Sequence, residues 1–237
     1  MSCRPHSASA TTTTRTTMAP KIYDSSLPPL PSAAFDPGLP NHNTHTPSTP
    51  QTSDPDCPFC HISSVFQPYN PATPPAPTSA LLNPALTAPQ PSTFLVLSTP
   101  HLVAFLDIMP LSLGHILLCP RPHRPKLTDV TPAESAELGR YLRVLSAAVV
   151  RATGVGDWNV VQNNGAAAAQ VVPHMHFHVI PRPELRDQRS ERFTATMFGR
   201  GQRDELDEEE AGLLAERVRS AVAEVLRADE EEGGWKL

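Results

Sequence analysis

The hydrophobic residues of this chain are concentrated in five short runs of six to eight residues. The runs are TFLVLS (93–98), LVAFLDI (102–108), GHILLCP (114–120), WNVVQN (158–163) and HMHFHVIP (174–181). Short apolar runs bounded by glycine, proline and asparagine are typical of β-strands. Only TPH separates the first two runs, so we expect a hairpin there and five strands in all.

Two longer segments carry the periodicity of amphipathic helices. The first begins at TPAE (131–134), a capping box with proline at the first helical position, and ends near Gly154. Its apolar stripe has helical spacing and consists of Leu138, Leu142, Leu145 and Val149. The second is expected over 204–227, with acidic residues at its start. Strands and helices joined by short turns predict an α+β domain with a five-stranded antiparallel sheet and two main helices.

The composition also divides the chain into regions. Residues 1–53 are rich in proline, serine, threonine and alanine, so we expect a disordered leader. We assign 54–203 to the folded domain, with a proline-rich insertion at 67–92, and 204–237 to an acidic C-terminal helix and tail.

Charge and hydropathy limit the partners. The net charge is −5, and 204–237 carries twelve acidic and four basic residues, while the middle of the chain is near neutral. Such a distribution opposes wrapping of nucleic acid. There is no apolar run of about 18 residues, so we expect no membrane span. The leader has no apolar signal region, so we expect a cytoplasmic or nuclear protein, although its serine, threonine and arginine content weakly resembles a mitochondrial transit peptide.

The last apolar run has a histidine at every second position. The histidines are His174, His176 and His178, and the apolar residues between and after them are Met175, Phe177 and Val179. In a strand the two sets point to opposite faces, with histidine Cα atoms roughly 6.5–7 Å apart. The histidines could bind a metal, act on a phosphate or line a solvated face. Clustered histidines favour a functional site over the solvated face.

Cys57 and Cys60 form a C-x-x-C motif, CPFC. It could be a thioredoxin-like redox pair, an inert pair of buried thiols, or half of a tetrahedral zinc site completed by histidines. The redox pair needs a βαβ context that the pattern around it does not suggest. In a chain without a secretory signal, the thiols are expected to be reduced.

These motifs resemble the histidine-triad (HIT) superfamily of nucleotide hydrolases and transferases. HMHFHVIP resembles its H-x-H-x-H signature, NNGAAAAQVVPH (163–174) its Asn-x-Gly…Gln lead-in, FLDIMPLSLGHILLCPRPH (105–123) its second block, and CPFCHI its N-terminal cysteine pair. The resemblance covers about residues 57–183 in the family's order. It implies the HIT-like fold and a two-fold homodimer, with the helix from Thr131 and its neighbouring strand near the interface.

The resemblance also implies the reaction. His176 would be the nucleophile whose Nε2 attacks the α-phosphorus of a purine nucleotide, and water would hydrolyse the nucleotidyl-histidine. His178 would contact the phosphate or leaving group. Gln170 and main-chain amides would hold phosphate oxygens, and Asn163 would position the phosphate and leaving group.

The nucleotide pocket and a structural zinc site follow from the same resemblance. Phe105 and Ile108 would wall the base pocket, and Asp107 would accept hydrogen bonds from the ribose hydroxyls. The zinc ligands would be Cys57, Cys60, His123 and His174. One histidine of the triad would then serve structure, and two would serve chemistry.

The chain departs from the family at the lead-in to the triad. Val171, which we place among the nucleotide-binding residues, stands where many phosphoramidases carry serine or threonine, so a donor to an amine leaving group is missing. Ala168 and Ala169 stand where glycine is common. In contrast, His178 replaces the glutamine of the transferase branches, which favours hydrolysis.

The leading hypothesis is therefore a hydrolase of purine nucleoside phosphoramidates or related α-phosphate esters. A diadenosine-polyphosphate hydrolase of the Fhit type is the alternative within the enzymes. A non-catalytic nucleotide-binding scaffold and a three-histidine metalloenzyme are the alternatives from other classes.

Overall fold

The computed structural model of the chain describes residues 53–183 and 207–233. The expected leader, apart from Ser53, lies outside these residues, as do 184–206 and 234–237.

The five strands form one antiparallel sheet, which confirms the predicted fold class. They are β1 (Leu95–Ser98), β2 (Leu102–Leu106), β3 (Ile116–Pro120), β4 (Trp158–Gln162) and β5 (Phe177–Pro181). Their spatial order is β1-β2-β3-β5-β4. β1 and β2 are the predicted hairpin, with Leu97 opposite Ala104 and an irregularity between Leu95 and Leu97.

In the two described segments, three α-helices accompany the sheet. They are α1 (Pro58–Val65), α2 (Pro132–Thr153) and α3 (Glu208–Glu231), and the two long ones are the predicted main helices. α1 was not predicted, because eight residues with proline at the start are too few to show a helical period. The proline-rich segment 67–92 contains two short 3₁₀ helices, Ala80–Leu82 and Pro84–Thr87.

The ends of α2 follow the chemistry of its sequence. The hydroxyl of Thr131 accepts from the main-chain N–H of Glu134, and the Glu134 carboxylate accepts from the N–H of Thr131. At the other end Gly154 adopts φ 71°, a left-handed conformation that glycine reaches at little cost.

The sheet is apolar on both faces, so each face is covered. On one face, Leu102, Ala104 and Leu106 of β2 pack with residues of α2 and α3. On the other, Val103 and Phe105 pack with α1 and the segment that follows it. α3 shares the core with α2 through Leu214 and other buried residues. Full burial of one such leucine contributes about 1.5–3 kcal/mol.

The histidine-rich run differs from the predicted strand. We expected a strand over 174–181 with three histidines in a row on one face, but β5 begins only at Phe177. His174 and Met175 precede the strand, and both are fully buried. His174 therefore does not lie in a row with His176 and His178, and it lies away from the cavity that those two histidines line.

Among the helices of the described segments, none combines the length and the apolar character that crossing a membrane requires.

A largely buried ion pair holds the loop before β5 against the start of α2. Glu134 accepts two hydrogen bonds from Arg124, at 2.9 and 3.1 Å, and the carbonyl of Arg124 accepts from the N–H of Met175. Burial raises the pKa of the Glu134 carboxyl, but the hydrogen bonds from Arg124 and Thr131 outweigh burial, so its pKa is lowered. The charged carboxylate is therefore the stabilising form.

Replacing Glu134 with glutamine should lower the free energy of unfolding by about 2–3 kcal/mol at neutral pH, because the largely buried guanidinium of Arg124 loses its charged partner. A lowered pKa stabilises the fold above the ordinary value of 4.5, and this contribution disappears as pH falls through the folded-state value. Urea unfolding at several pH values should therefore show the difference from wild type shrinking in acid.

Glu224→Gln is the matched control, because exposed Glu224 also faces an arginine, Arg151, but at 3.7 Å. Its expected loss is below about 1 kcal/mol. Equal losses for the two variants would contradict the assigned role of Glu134.

Candidate functional site

Four buried sulfur- and nitrogen-bearing side chains meet under α1. They are Cys57, Cys60, His123 and His174, whose ligand atoms all lie within 4.8 Å of one another. The Nδ1 atom of His174 is 3.4 Å from Sγ of Cys57 and 3.6 Å from Sγ of Cys60. The Nδ1 atom of His123 is 3.3 Å from Sγ of Cys60. The structure thus brings together all four residues predicted as metal ligands.

The local sequence explains how this Cys/His cluster is assembled. Cys57 is the N-cap of α1 and Cys60 lies in its first turn, so both sulfurs lie on one side of the helix. Arg121, which follows β3, fixes the other end of α1 by donating to the carbonyls of Ser63 and Phe66. The same guanidinium donates to the Thr99 carbonyl and to the Ser98 hydroxyl of the sheet.

Burial shifts the pKa of two members of the Cys/His cluster, Cys57 and His174. It raises the pKa of the Cys57 thiol to about 11 and lowers the pKa of His174 to about 4. Nε2 of His174 donates to the Pro120 carbonyl at 2.8 Å, because a carbonyl can only accept. The lone pair of the neutral ring is then on Nδ1, which faces the sulfurs. A neutral imidazole with this orientation suits a metal ligand.

His176 is held next to the Cys/His cluster by main-chain chemistry. Its Nδ1 donates to the carbonyl of His174 at 2.6 Å, so the unprotonated nitrogen of the neutral ring is Nε2. Phe59 packs edge-on against the ring, with centroids 5.1 Å apart. Burial lowers the pKa of His176 and so favours the neutral ring. With His174 fully buried and His176 6% exposed, the interpretation as a solvated histidine face is excluded.

A row of three polar side chains, His178, His115 and Asp107, lies beside His176. Nδ1 of His178 is 2.9 Å from Nε2 of His115, and Nδ1 of His115 is 3.3 Å from a carboxylate oxygen of Asp107. The other carboxylate oxygen of Asp107 accepts from the N–H of Met109. The ring centroids of His176 and His178 are 4.8 Å apart, so this row of side chains ends beside His176.

His115 is the site residue that sequence reasoning missed. It was noted only as part of the GH pair that opens the third run. The register of β2 against β3 contained the signal. Leu106 of β2 pairs with Ile116 of β3, which places Asp107 and His115 opposite each other. A histidine opposite a carboxylate at the loop end of a hairpin could have been named from that pattern.

A cavity of about 780 Å³ opens between α1, the ends of β2 and β3, and the loop before β5. This volume lies within the range of small-molecule sites, roughly 300–1,000 Å³. Seven of the predicted site residues line it: Phe105, Asp107, Ile108, Asn163, Val171, His176 and His178. Val171 is 90% exposed and brings no polar group to the mouth of the cavity.

Gln170 does not line this cavity. Its side chain accepts from the N–H of Gly165 at 2.6 Å and donates to the Pro125 carbonyl at 2.7 Å. It therefore closes the turn 165–170 and shapes the loop beside the histidines. Ala169, in that turn, adopts φ 63°, a conformation that is costly for a residue with a Cβ atom.

The C-x-x-C motif lies in a different context from that of a redox helix. A helix, α1, follows Cys57, but the next strand pairs antiparallel with its neighbour. The thiols are free and face histidines, so they are neither a βαβ redox pair nor isolated from polar partners.

The fold and the site define an α+β protein whose cavity ends on one buried and one half-buried histidine, His176 and His178, beside a Cys/His cluster. The HIT domain family model matches residues 88–185. An adenosine 5′-monophosphoramidase from Candida albicans is 31% identical over 138 residues, which cover 56% of this chain and 85% of that protein. The chain belongs to the HIT family.

Two further similarities were found, one in sequence and one in structure. The adenylylsulfatase HINT3 of Arabidopsis thaliana is 44% identical over 82 residues, covering 35% of this chain. The match spans only 42% of that protein's length. The crystal structure of a hypothetical histidine triad nucleotide-binding protein from Sulfolobus tokodaii superposes with a TM-score of 0.50 at 24% identity, covering 64% of this chain and 97% of the other. This likeness supports the fold.

Proposed function

We propose that the chain hydrolyses purine nucleotides at the α-phosphate, with adenosine phosphoramidate-like compounds as the leading substrate class, through a nucleotidyl-His176 intermediate. The observation that carries the proposal is the 2.6 Å hydrogen bond from Nδ1 of His176 to the His174 carbonyl. It leaves Nε2 with the lone pair in a ring that lines the cavity. Burial favours the neutral form, which is the nucleophile.

The neighbouring row of His178, His115 and Asp107 supports the proton transfers of the proposed reaction. His178 lines the cavity, and one of its ring nitrogens is engaged by His115. His115 in turn contacts Asp107. A histidine oriented in this way can give a proton to a leaving group and later accept one from water. This role would compensate for Val171, which has no hydroxyl to donate.

The shape of the cavity supports a nucleoside as the bound part of the substrate. One region is apolar and aromatic, with Phe59, Ile62 and Phe105, as the flat face of a base requires. The buried carboxylate of Asp107 borders that region and offers acceptors for ribose hydroxyls. Asn163 lines the cavity along with the histidines, where an amide can donate to phosphate oxygens.

His176→Ala should reduce kcat for an adenosine phosphoramidate by at least about 1,000-fold, because no other group replaces a covalent nucleophile. Mass spectrometry of rapidly quenched wild-type protein should show an adenylylated peptide containing His176. His101→Ala is the matched control, since His101 is exposed and does not line the cavity. Unchanged turnover in the His176 variant would contradict the proposal.

A substrate panel in the same experiment separates the alternatives. Faster turnover of diadenosine polyphosphates than of phosphoramidates would favour the Fhit-type hydrolase. Tight nucleotide binding without turnover or adduct would favour the non-catalytic scaffold.

We also propose that the Cys/His cluster binds one structural zinc ion through Cys57, Cys60, His123 and His174. The 3.3–3.6 Å separations between sulfur and nitrogen match the separation of about 3.5 Å that zinc–ligand bond lengths give in a tetrahedron. The hydrogen bond from His174 to the Pro120 carbonyl orients the ring as metal-bound histidines require. Zinc there would hold α1, the loop after β3 and the loop before β5 together.

Metal analysis of the purified protein should find one zinc per chain. Cys60→Ser should lose it and lower the melting temperature by roughly 10 °C, because a structural zinc site contributes to folding. Cys119→Ala is the cysteine control, since Cys119 is not part of the Cys/His cluster. His178→Ala should also retain the zinc; loss of metal in that variant would instead favour the three-histidine metalloenzyme.

We propose in addition that the chain forms a homodimer through the outer edge of β4. The opposite edge, β1, is covered: Tyr69 donates to the carbonyls of Ser98 and Val96, and Arg219 donates to that of Leu95. β4 pairs only with β5 within the described segments. Its Trp158 and Val160 are 42% and 44% exposed. An open apolar edge is suited to pairing with a second sheet.

Analytical ultracentrifugation should give twice the chain mass of 25.7 kDa for the wild type. Val160→Asp should shift the protein to monomer, because the charge would be buried at the interface. Leu213→Asp, which changes an exposed leucine of α3, should remain dimeric. A monomeric wild type at tens of micromolar would contradict the proposed dimer.

A further inference from the structure

The proline-rich segment 79–93 packs against the cavity wall. Leu82, from its first 3₁₀ helix, belongs to the same buried cluster as Phe59 and Ile62 of α1. Nε2 of His61 donates to the carbonyl of Thr87 at 3.3 Å. The segment therefore extends the wall that α1 begins, and four of its residues line the cavity: Thr87, Gln90, Pro91 and Thr93.

The turn at 87–91 is held by its own hydrogen bonds. The fully buried hydroxyl of Thr87 lies 2.7 Å from the Pro91 carbonyl and 3.1 Å from the Pro84 carbonyl. The N–H of Gln90 donates to the Thr87 carbonyl at 2.9 Å. Gln90 thus projects from a backbone fixed on both sides, as a specificity residue requires.

Gln90 differs from the other polar residues of the cavity. It lines the cavity together with Pro58 at the start of α1, and both also border an adjoining cleft of about 250 Å³. Under the proposed function, Asn163, His176 and His178 would lie near the phosphate. Within the described part of the chain, the structure shows no hydrogen bond of the Gln90 side-chain amide. This leaves a donor and an acceptor for a ligand beside the apolar region.

We infer that Gln90 contacts the edge of the bound base and that the side chain at this position sets the balance between adenine and guanine; the inference rests on the proposed nucleotide hydrolase function. A glutamine amide can pair with adenine, accepting from N6–H and donating to a ring nitrogen, and also with guanine, accepting from N1–H and donating to O6. A carboxylate at the same position cannot donate, but it can accept from the N1–H and N2–H groups of guanine. The identity of residue 90 would therefore set the base preference.

The test compares kcat/KM for adenosine and guanosine 5′-phosphoramidate. In Gln90→Glu the adenosine-to-guanosine ratio should fall about tenfold, the lower part of what one bidentate base contact provides. Gln67→Glu is the matched control, because Gln67 is exposed, does not line the cavity and changes the net charge equally. Its ratio should stay within twofold of wild type.

The outcomes separate this inference from the proposed function. Turnover of both compounds with an unchanged ratio in Gln90→Glu would overturn the role of Gln90 and leave the hydrolase standing. If neither compound is turned over, calorimetric affinities for AMP and GMP decide the role of Gln90 by the same ratio. Absence of both turnover and binding would overturn both.

Discussion

The position of His174 is the constraint on which the geometry of the site depends. Its Nδ1 faces the two cysteine sulfurs, and its Nε2 donates to the Pro120 carbonyl of β3. Its main-chain carbonyl accepts from Nδ1 of His176. All of this occurs in full burial, where a lost hydrogen bond costs about 1–3 kcal/mol. A displacement of the Cys/His cluster would therefore rotate His176 as well, so the proposed metal would also act as a positioning device.

Much of the fold could be predicted because its signals are local. Apart from Ser98, the strand positions of the runs at 93–98 and 102–108 are all apolar, and the three residues TPH between them leave room only for a tight hairpin turn. The capping box at 131–134 and Gly154 define α2 from chemistry within one turn. α1 escaped prediction since its stability comes from distant contacts, above all the hydrogen bonds that Arg121 donates to its C-terminal carbonyls.

The site was predictable in its composition but not in its geometry. The four residues of the Cys/His cluster were named, yet a straight row of histidines could not show that His174 turns away from His178. That turn depends on Arg124, whose carbonyl accepts from Met175 while its guanidinium pairs with Glu134. Gln170 was assigned to the phosphate, whereas its amide closes the turn from Gly165. Side chains that bond to their own loop cannot be distinguished by sequence from those that bind a ligand.

Asp107 joins recognition to chemistry under the proposed function. One of its carboxylate oxygens accepts from the N–H of Met109, and the other contacts His115, which contacts His178. Under the proposed function, the ribose hydroxyls would donate to this same carboxylate. Binding of the sugar would then change the field at His115 and, through it, the basicity of His178. A nucleotide without its ribose contacts should consequently lose rate as well as affinity, because its binding energy is used at the leaving group.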